Sequence, residues 1–185
     1  MSRKKHLGPF DLDAYAAFQD SYYDESDRAV AILASSFLEC VLEEALRERL
    51  VEAKEVDQLF DAFAPLSTFS GKIKVAFAVG LLSKRIYHDV NLVRSIRNAF
   101  AHDVDKLQFS TEVISKLCDK FHISRDSMGD RWTTDHRRQF LFAVHLIVLH
   151  FKVMRDDGRL LRLSIPPGGF TKVSEKGDRT GSDAQ

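Results

Sequence analysis

Cysteine is nearly absent from this chain. Cys40 and Cys118 are the only two in 185 residues, and they stand far apart with no metal-ligand spacing. A disulfide framework is therefore excluded, and a reduced, cytoplasmic protein is expected. An excess of either charge is also missing: Lys plus Arg and Asp plus Glu are both 27, so no global field draws the chain to nucleic acid or to an anionic membrane. Electrostatic binding of any kind must then be local. Long apolar runs are lacking too. The longest, Phe140 to Phe151, contains His145 and His150 and is too short and too polar to span a bilayer, and the opening MSRKKHLGPF is no apolar signal segment. Glycine and proline are absent from Arg28 to Val51, which leaves nothing to interrupt a long helix there.

What is present is helical periodicity in a chain that is 44% apolar, enough to bury one core. Residues 11–27 carry six acidic side chains and no Lys or Arg, interleaved with aromatics, and suit a short helix. Ser26 or Asp27 caps the next helix, in which Val30, Leu33, Phe37, Leu38, Val41, Leu42 and Ala45 cover a wide arc, as in the central helix of a bundle. Lys54 to Phe63 reads as a short amphipathic helix that Pro65 ends. Ser70 is a candidate cap for a helix to Val79, Gly80 suits the left-handed residue that ends it, and Ser83 caps the one after. Thr111 with Glu112 begins a helix through Phe121, and residues 122–131 read as a loop. A long apolar helix from Thr133 or Thr134 to Gly158 is placed beside the Arg28 to Val51 helix. The stretch RLLRLSI, residues 159–165, suits an extended arm or edge strand. The expected fold is all-α, a single-domain bundle of five to seven helices over residues 11–165, with a flexible N-terminus over 1–10 and a disordered tail over 166–185.

One stretch combines core periodicity with reactive side chains: Leu81 to His102, LLSKRIYHDVNLVRSIRNAFAH. Ile86, Val90, Val93, Ile96 and Phe100 share a stripe, with Val104 continuing it, while Lys84, Arg85, Asn91, Arg94, Ser95 and Asn98 lie mostly off it. Arg97 projects from the middle of that stripe, where a guanidinium must find a carboxylate, a carbonyl or a wet cleft. Glu44 and Glu48, near the apolar side of the preceding long helix, are its candidate ion partners. Arg97 and His102 are 140° apart on an ideal helix and share a face only where the helix end loosens. There the Arg could hold a phosphate and the His move a proton in phosphodiester cleavage, with Asn98 orienting the ring or binding phosphate.

His145 and His150 are five apart and off one face, so a shared metal is not expected, and neither metal nor cofactor is foreseen elsewhere. Seven Lys or Arg against three Asp between Arg131 and Arg162 make a local positive excess, which a solvated helix face explains as well as a phosphate-facing patch does. The turn from Phe77 to Arg85 is similar to a helix-turn-helix junction. The helix after it offers only Lys84, Arg85 and Arg94 outward, with Asp89 as an acidic neighbour, so direct sequence-specific DNA binding is the least favoured role.

The stretches RAVAILASSFLECVLEEALRERL and LSTFSGKIKVAFAVGLLSKRIYHDVNLVRSIRNAFAH, with the last long helix, resemble the mannitol operon repressor family of bacterial proteins across Asp27 to Asp156, best over Leu66 to His102. That resemblance implies an all-helical regulator of transcription without a dedicated DNA-binding domain, acting through protein contacts as a homodimer or larger assembly. RNAFAH, Arg97 to His102, is also similar to the Arg-x4-6-His signature of HEPN domains, many of which are dimeric RNases. This second likeness implies a metal-independent RNase with Arg97, Asn98 and His102 of two subunits lining one cleft and RNA as the partner, although other HEPN-like domains only bind. Of the two, the regulator is preferred, because kinship of fold transfers scaffolds more often than chemistry.

Overall fold

Ser26 opens the first described helix: its side-chain oxygen accepts from the backbone N–H of Ala29 at 3.2 Å. The computed structural model describes residues 24–102, 107–122 and 134–160. Residues 11–23 of the first expected helix, the arm beyond Leu160, the tail and Val104 lie outside those residues, as does the expected loop beyond His122; Arg159 and Leu160 of the arm form a turn with Leu160 buried, and His122 is helical. Helix α1, Asp27–Arg49, buries Val30, Ala31, Ala34, Leu38, Val41, Leu42, Ala45 and Leu46, whereas Leu33 and Phe37 of the anticipated arc are partly exposed at its margin. Helix α2, Lys54–Asp57, is one turn, followed by a 3-10 turn over Gln58–Phe60. Then come α3, Phe69–Ala78; α4, Lys84–His102; α5, Glu112–Cys118; and α6, His136–Asp156. No strand occurs among the described residues, so the chain is all-α.

Helix α4 is the hub. It packs on α1, α3, α5 and α6, and α1 lies against α6 along the other side of the core, as the two longest apolar patterns require. Ile86, Val90, Val93, Ile96 and Phe100 are all buried, the stripe expected from their spacing, and Leu92 joins them. The ring of Phe100 meets that of Phe109 at 5.1 Å between centroids, and Phe109 meets Phe140 at 5.2 Å, so one aromatic chain ties α4 to the turn before α5 and to α6. Each such pair adds about 0.5–1.5 kcal/mol to the area it buries.

Helix ends follow local chemistry. Gly80 takes φ 78° after α3, with Leu81 N–H donating to Ala76 O at 2.9 Å and Gly80 N–H to Phe77 O at 3.1 Å, a Schellman closure that needs a residue without a β-carbon. Ser83 then caps α4 through the N–H of Ile86 at 3.3 Å. Two expected caps are displaced. Thr68 rather than Ser70 starts α3, accepting from Gly71 N–H at 3.1 Å, and Asp135 rather than a threonine starts α6, accepting from Arg138 N–H at 3.1 Å. The amphipathic helix expected through Phe63 breaks after Phe60. Phe63 adopts φ 68° with its ring in solvent, because the chain reverses there to bring Leu66 into the core, with Leu66 N–H donating to Leu59 O at 2.8 Å.

Two polar clasps orient the helices. Asp27 accepts from Phe109 N–H at 2.8 Å and from Arg137 Nη1 at 2.9 Å, joining the start of α1 to the start of α6. On the other side Lys72 of α3 is buried and reaches Glu39 Oε1 at 2.8 Å and Glu43 Oε2 at 2.9 Å on α1. Arg47 completes the second carboxylate at 2.9 Å, and its guanidinium lies 3.9 Å from the centroid of the Phe60 ring. Burial alone would push the Glu43 carboxyl up, but hydrogen bonds from Lys72 and Arg47 outweigh it and hold the carboxyl below its ordinary range. For Lys72 burial would lower the ammonium, and the bonds to Glu39 and Glu43 hold it above its ordinary value instead.

Replacing Lys72 by Met leaves two half-buried carboxylates facing each other. The expected loss is about 2–3 kcal/mol, below the roughly 3–5 kcal/mol of a fully buried broken pair because both keep some solvent. A depressed carboxyl contributes stability that is present above its unfolded value and lost as pH falls through the folded one. Urea unfolding at pH 7 and pH 3 therefore measures a smaller difference between wild type and Lys72→Met at pH 3; an equal or larger difference contradicts the assignment.

Candidate functional site

Asp89 was expected only as an acidic neighbour of the outward Lys84, Arg85 and Arg94. It is fully buried, at 0% exposure, the one ionisable side chain of α4 wholly withdrawn from solvent. It lies beside Ile86 and Val90 of the buried stripe, and the chain that follows α5 reaches it at His122. Oδ2 of Asp89 accepts from the backbone N–H of His122 at 3.0 Å, and Oδ1 lies 3.1 Å from the same nitrogen. Nδ1 of His122 and Nδ1 of His88 stand 3.1 Å and 3.2 Å from that same Oδ1. The two imidazoles meet edge to face with centroids 4.5 Å apart, and both remain about half exposed. His122 is held where it is because Phe121, beside it, is anchored in the core at 1% exposure. A carboxylate and two histidines from segments 33 residues apart thus form one polar centre at the edge of the bundle.

The residues singled out by sequence sit further along the same helix. Arg97 is half-buried, and its Nη1 donates to Oδ1 of Asn98 at 3.2 Å. His102 is the last residue of α4 and is exposed. Arg97 and Asn98 are therefore brought together, with the histidine more than one turn beyond them at the helix end. Glu48 is committed to Arg155 of α6 at 3.0 Å, and Glu44 is half-buried on α1. The outward basic face of α4 is narrower than its sequence suggests: Lys84 and Arg85 are exposed, but Arg94 is half-buried and its Nε is shut off from solvent.

Other nucleophiles and bases are poorly placed for chemistry. Burial pushes the Cys118 thiol up to about 12, with Asp119 adding to the shift, and Cys40 is also raised, first by burial. Both are free thiols. His145 and His150 are half-buried on α6 and held below the ordinary imidazole range, in each case chiefly by burial. No described helix is long and apolar enough to cross a membrane.

The mannitol repressor family model matches residues 28–156, from the start of α1 to the end of α6 and well over half of the chain. The chain belongs to the mannitol repressor family. No curated protein and no solved structure matches it. The family match covers the whole described bundle, so the Asp89 centre and the Arg97–Asn98 pair both belong to the family domain rather than to an appendage. The sequence signal for the centre was the adjacency of His88 and Asp89 at a position where the apolar stripe turns inward; its other half, His122, lay in what read as a loop.

Removing the Asp89 carboxylate orphans the part-buried N–H of His122. Asp89→Ala should lower unfolding free energy by about 2–3 kcal/mol, as for a buried donor left unpaired, and Asp89→Asn, which keeps an acceptor oxygen, should recover part of that. Urea denaturation of both variants decides it: equal losses, or a loss under about 0.5 kcal/mol for the alanine, would mean that the carboxylate does not hold His122 to α4.

Proposed function

We propose that this member of the mannitol repressor family is a bacterial transcriptional regulator that works through protein–protein contacts, as a homodimer or larger, rather than by reading DNA with a helix of its own. The family match is one support. The observation that carries the mode of action is the burial of α4. In a helix-turn-helix the second helix lies free to enter the major groove, whereas the helix following the Gly80 turn is packed by α1, α3, α5 and α6 and buries Ile86, Asp89, Val90, Leu92, Val93, Ile96 and Phe100. Freeing it would dissolve the core. Zero net charge also removes any global attraction to phosphates, so non-specific DNA binding would have to rest on a local patch.

The test pairs a reporter with a binding measurement. Deleting the gene should raise expression from the controlled operon, with the host's mannitol operon the first to try. The purified protein alone should show no preference for its control region over unrelated DNA by fluorescence anisotropy. A preference on the order of 10³-fold or more, typical of direct readers, would overturn the proposed mode.

One observation favours a second reading. Arg97 is hydrogen-bonded to the neutral amide of Asn98, and His102 lies exposed at the end of the same helix, a set suited to holding a phosphate and moving a proton if two subunits place these ends together. This HEPN-type RNase would cut RNA in the presence of EDTA, and His102→Ala would reduce cutting at least a hundredfold without changing the unfolding midpoint, since His102 is exposed. Uncut RNA with the wild type, or cutting undiminished in the variant, removes this reading.

A further inference from the structure

We propose that His88, Asp89 and His122 form a binding site for one divalent transition-metal ion of the zinc class. The donor set is two imidazoles and a carboxylate, the combination that suits borderline first-row ions and leaves coordination positions open for water or an outside ligand. The three donor atoms all lie within 4.8 Å of one another. Closer in, both Nδ1 atoms stand 3.1–3.2 Å from the same Oδ1 of Asp89. Ligands about 2.0–2.1 Å from a tetrahedral zinc ion lie roughly 3.3–3.4 Å apart. Two of the three donor–donor separations thus already match that spacing, and closing the third, between the two imidazole nitrogens, makes the cluster three corners of a coordination polyhedron.

The donors are also held in place. The carboxylate is buried and gripped by the His122 backbone N–H, His88 is fixed by the helix that carries Asp89, and His122 follows a core phenylalanine. Such support orients a ligand before the ion arrives. Without an ion, three N–H groups converge on one oxygen: both imidazoles and the His122 amide. Binding relieves that crowding. Each neutral imidazole moves its proton from Nδ1 to Nε2 and turns the freed Nδ1 lone pair to the ion, so no proton is released, and the carboxylate offsets one of the two positive charges. The half-exposed rings give the ion its entry path. Arg85 stands one turn before Asp89 on the same helix, and its positive charge keeps the expected affinity on the order of micromolar, below that of a closed four-ligand centre.

The site does not depend on how the protein regulates or whether it cuts RNA. Isothermal titration of zinc chloride into the full chain, first stripped with EDTA, tests it alongside His88→Ala and His122→Ala, with Cys40→Ser and His150→Ala as controls for other zinc donors. Both site histidines are half-exposed, so circular dichroism should show these variants folded. The expected result is one zinc per chain at a Kd of about 1–10 µM, weakened at least tenfold by either site substitution and unchanged by either control. No binding by the wild type, or binding that survives in both site variants, overturns the proposal.

Discussion

A carboxylate with no solvent exposure sits in the helix on which every other long helix leans. Asp89 can remain there because the chain brings it the N–H of His122 and two imidazole rings, and a charge buried without such partners would cost several kcal/mol. That requirement fixes where the chain after α5 meets α4. The aromatic chain from Phe100 through Phe109 to Phe140 and the clasp of Asp27 with Arg137 fix the same corner from the other side. The opposite flank relies on Lys72 holding two glutamates of α1. Polar contacts thus set the angles between helices whose attraction is apolar.

Much of this is written locally. Ser83 and Gly80 announce the turn between α3 and α4 because a cap and a left-handed residue act on their own neighbours, and the buried stripe of α4 follows from spacing alone. What is not local was not legible. Nothing in the periodicity marked Asp89 as buried, since the partner that lets a carboxylate go inside is 33 residues away. The helix through Phe63 looked continuous because its apolar spacing is helical, yet the need to turn Leu66 inward breaks it. The displaced cap at Thr68 has the same lesson at short range: two hydroxyls compete, and the one that meets Gly71 wins. Arg97 does lie partly inside, as its position in the stripe requires, but its hydrogen bond to the neighbouring Asn98 is not dictated by the apolar pattern.

Membership of the mannitol repressor family and the burial of α4 bear on different questions. The family concerns what the protein is for, and the burial concerns what it has available to do it with. The helix that follows the Gly80 turn is packed into the core, and that packing is what supports the proposed route through protein contacts. The Asp89 centre adds a chemically distinctive patch to the surface, near one end of the hub helix and away from Arg97 and His102.

Hydrogen exchange at the amides of α4, from Val90 to Phe100, reads the central claim directly. If the helix is the locked hub of the fold, these amides exchange only through global unfolding, with the same free energy as urea denaturation, and control-region DNA leaves them unchanged. Exchange through an opening several kcal/mol cheaper than global unfolding, or new protection on adding that DNA, would show that the helix can leave the core, and the account would be wrong.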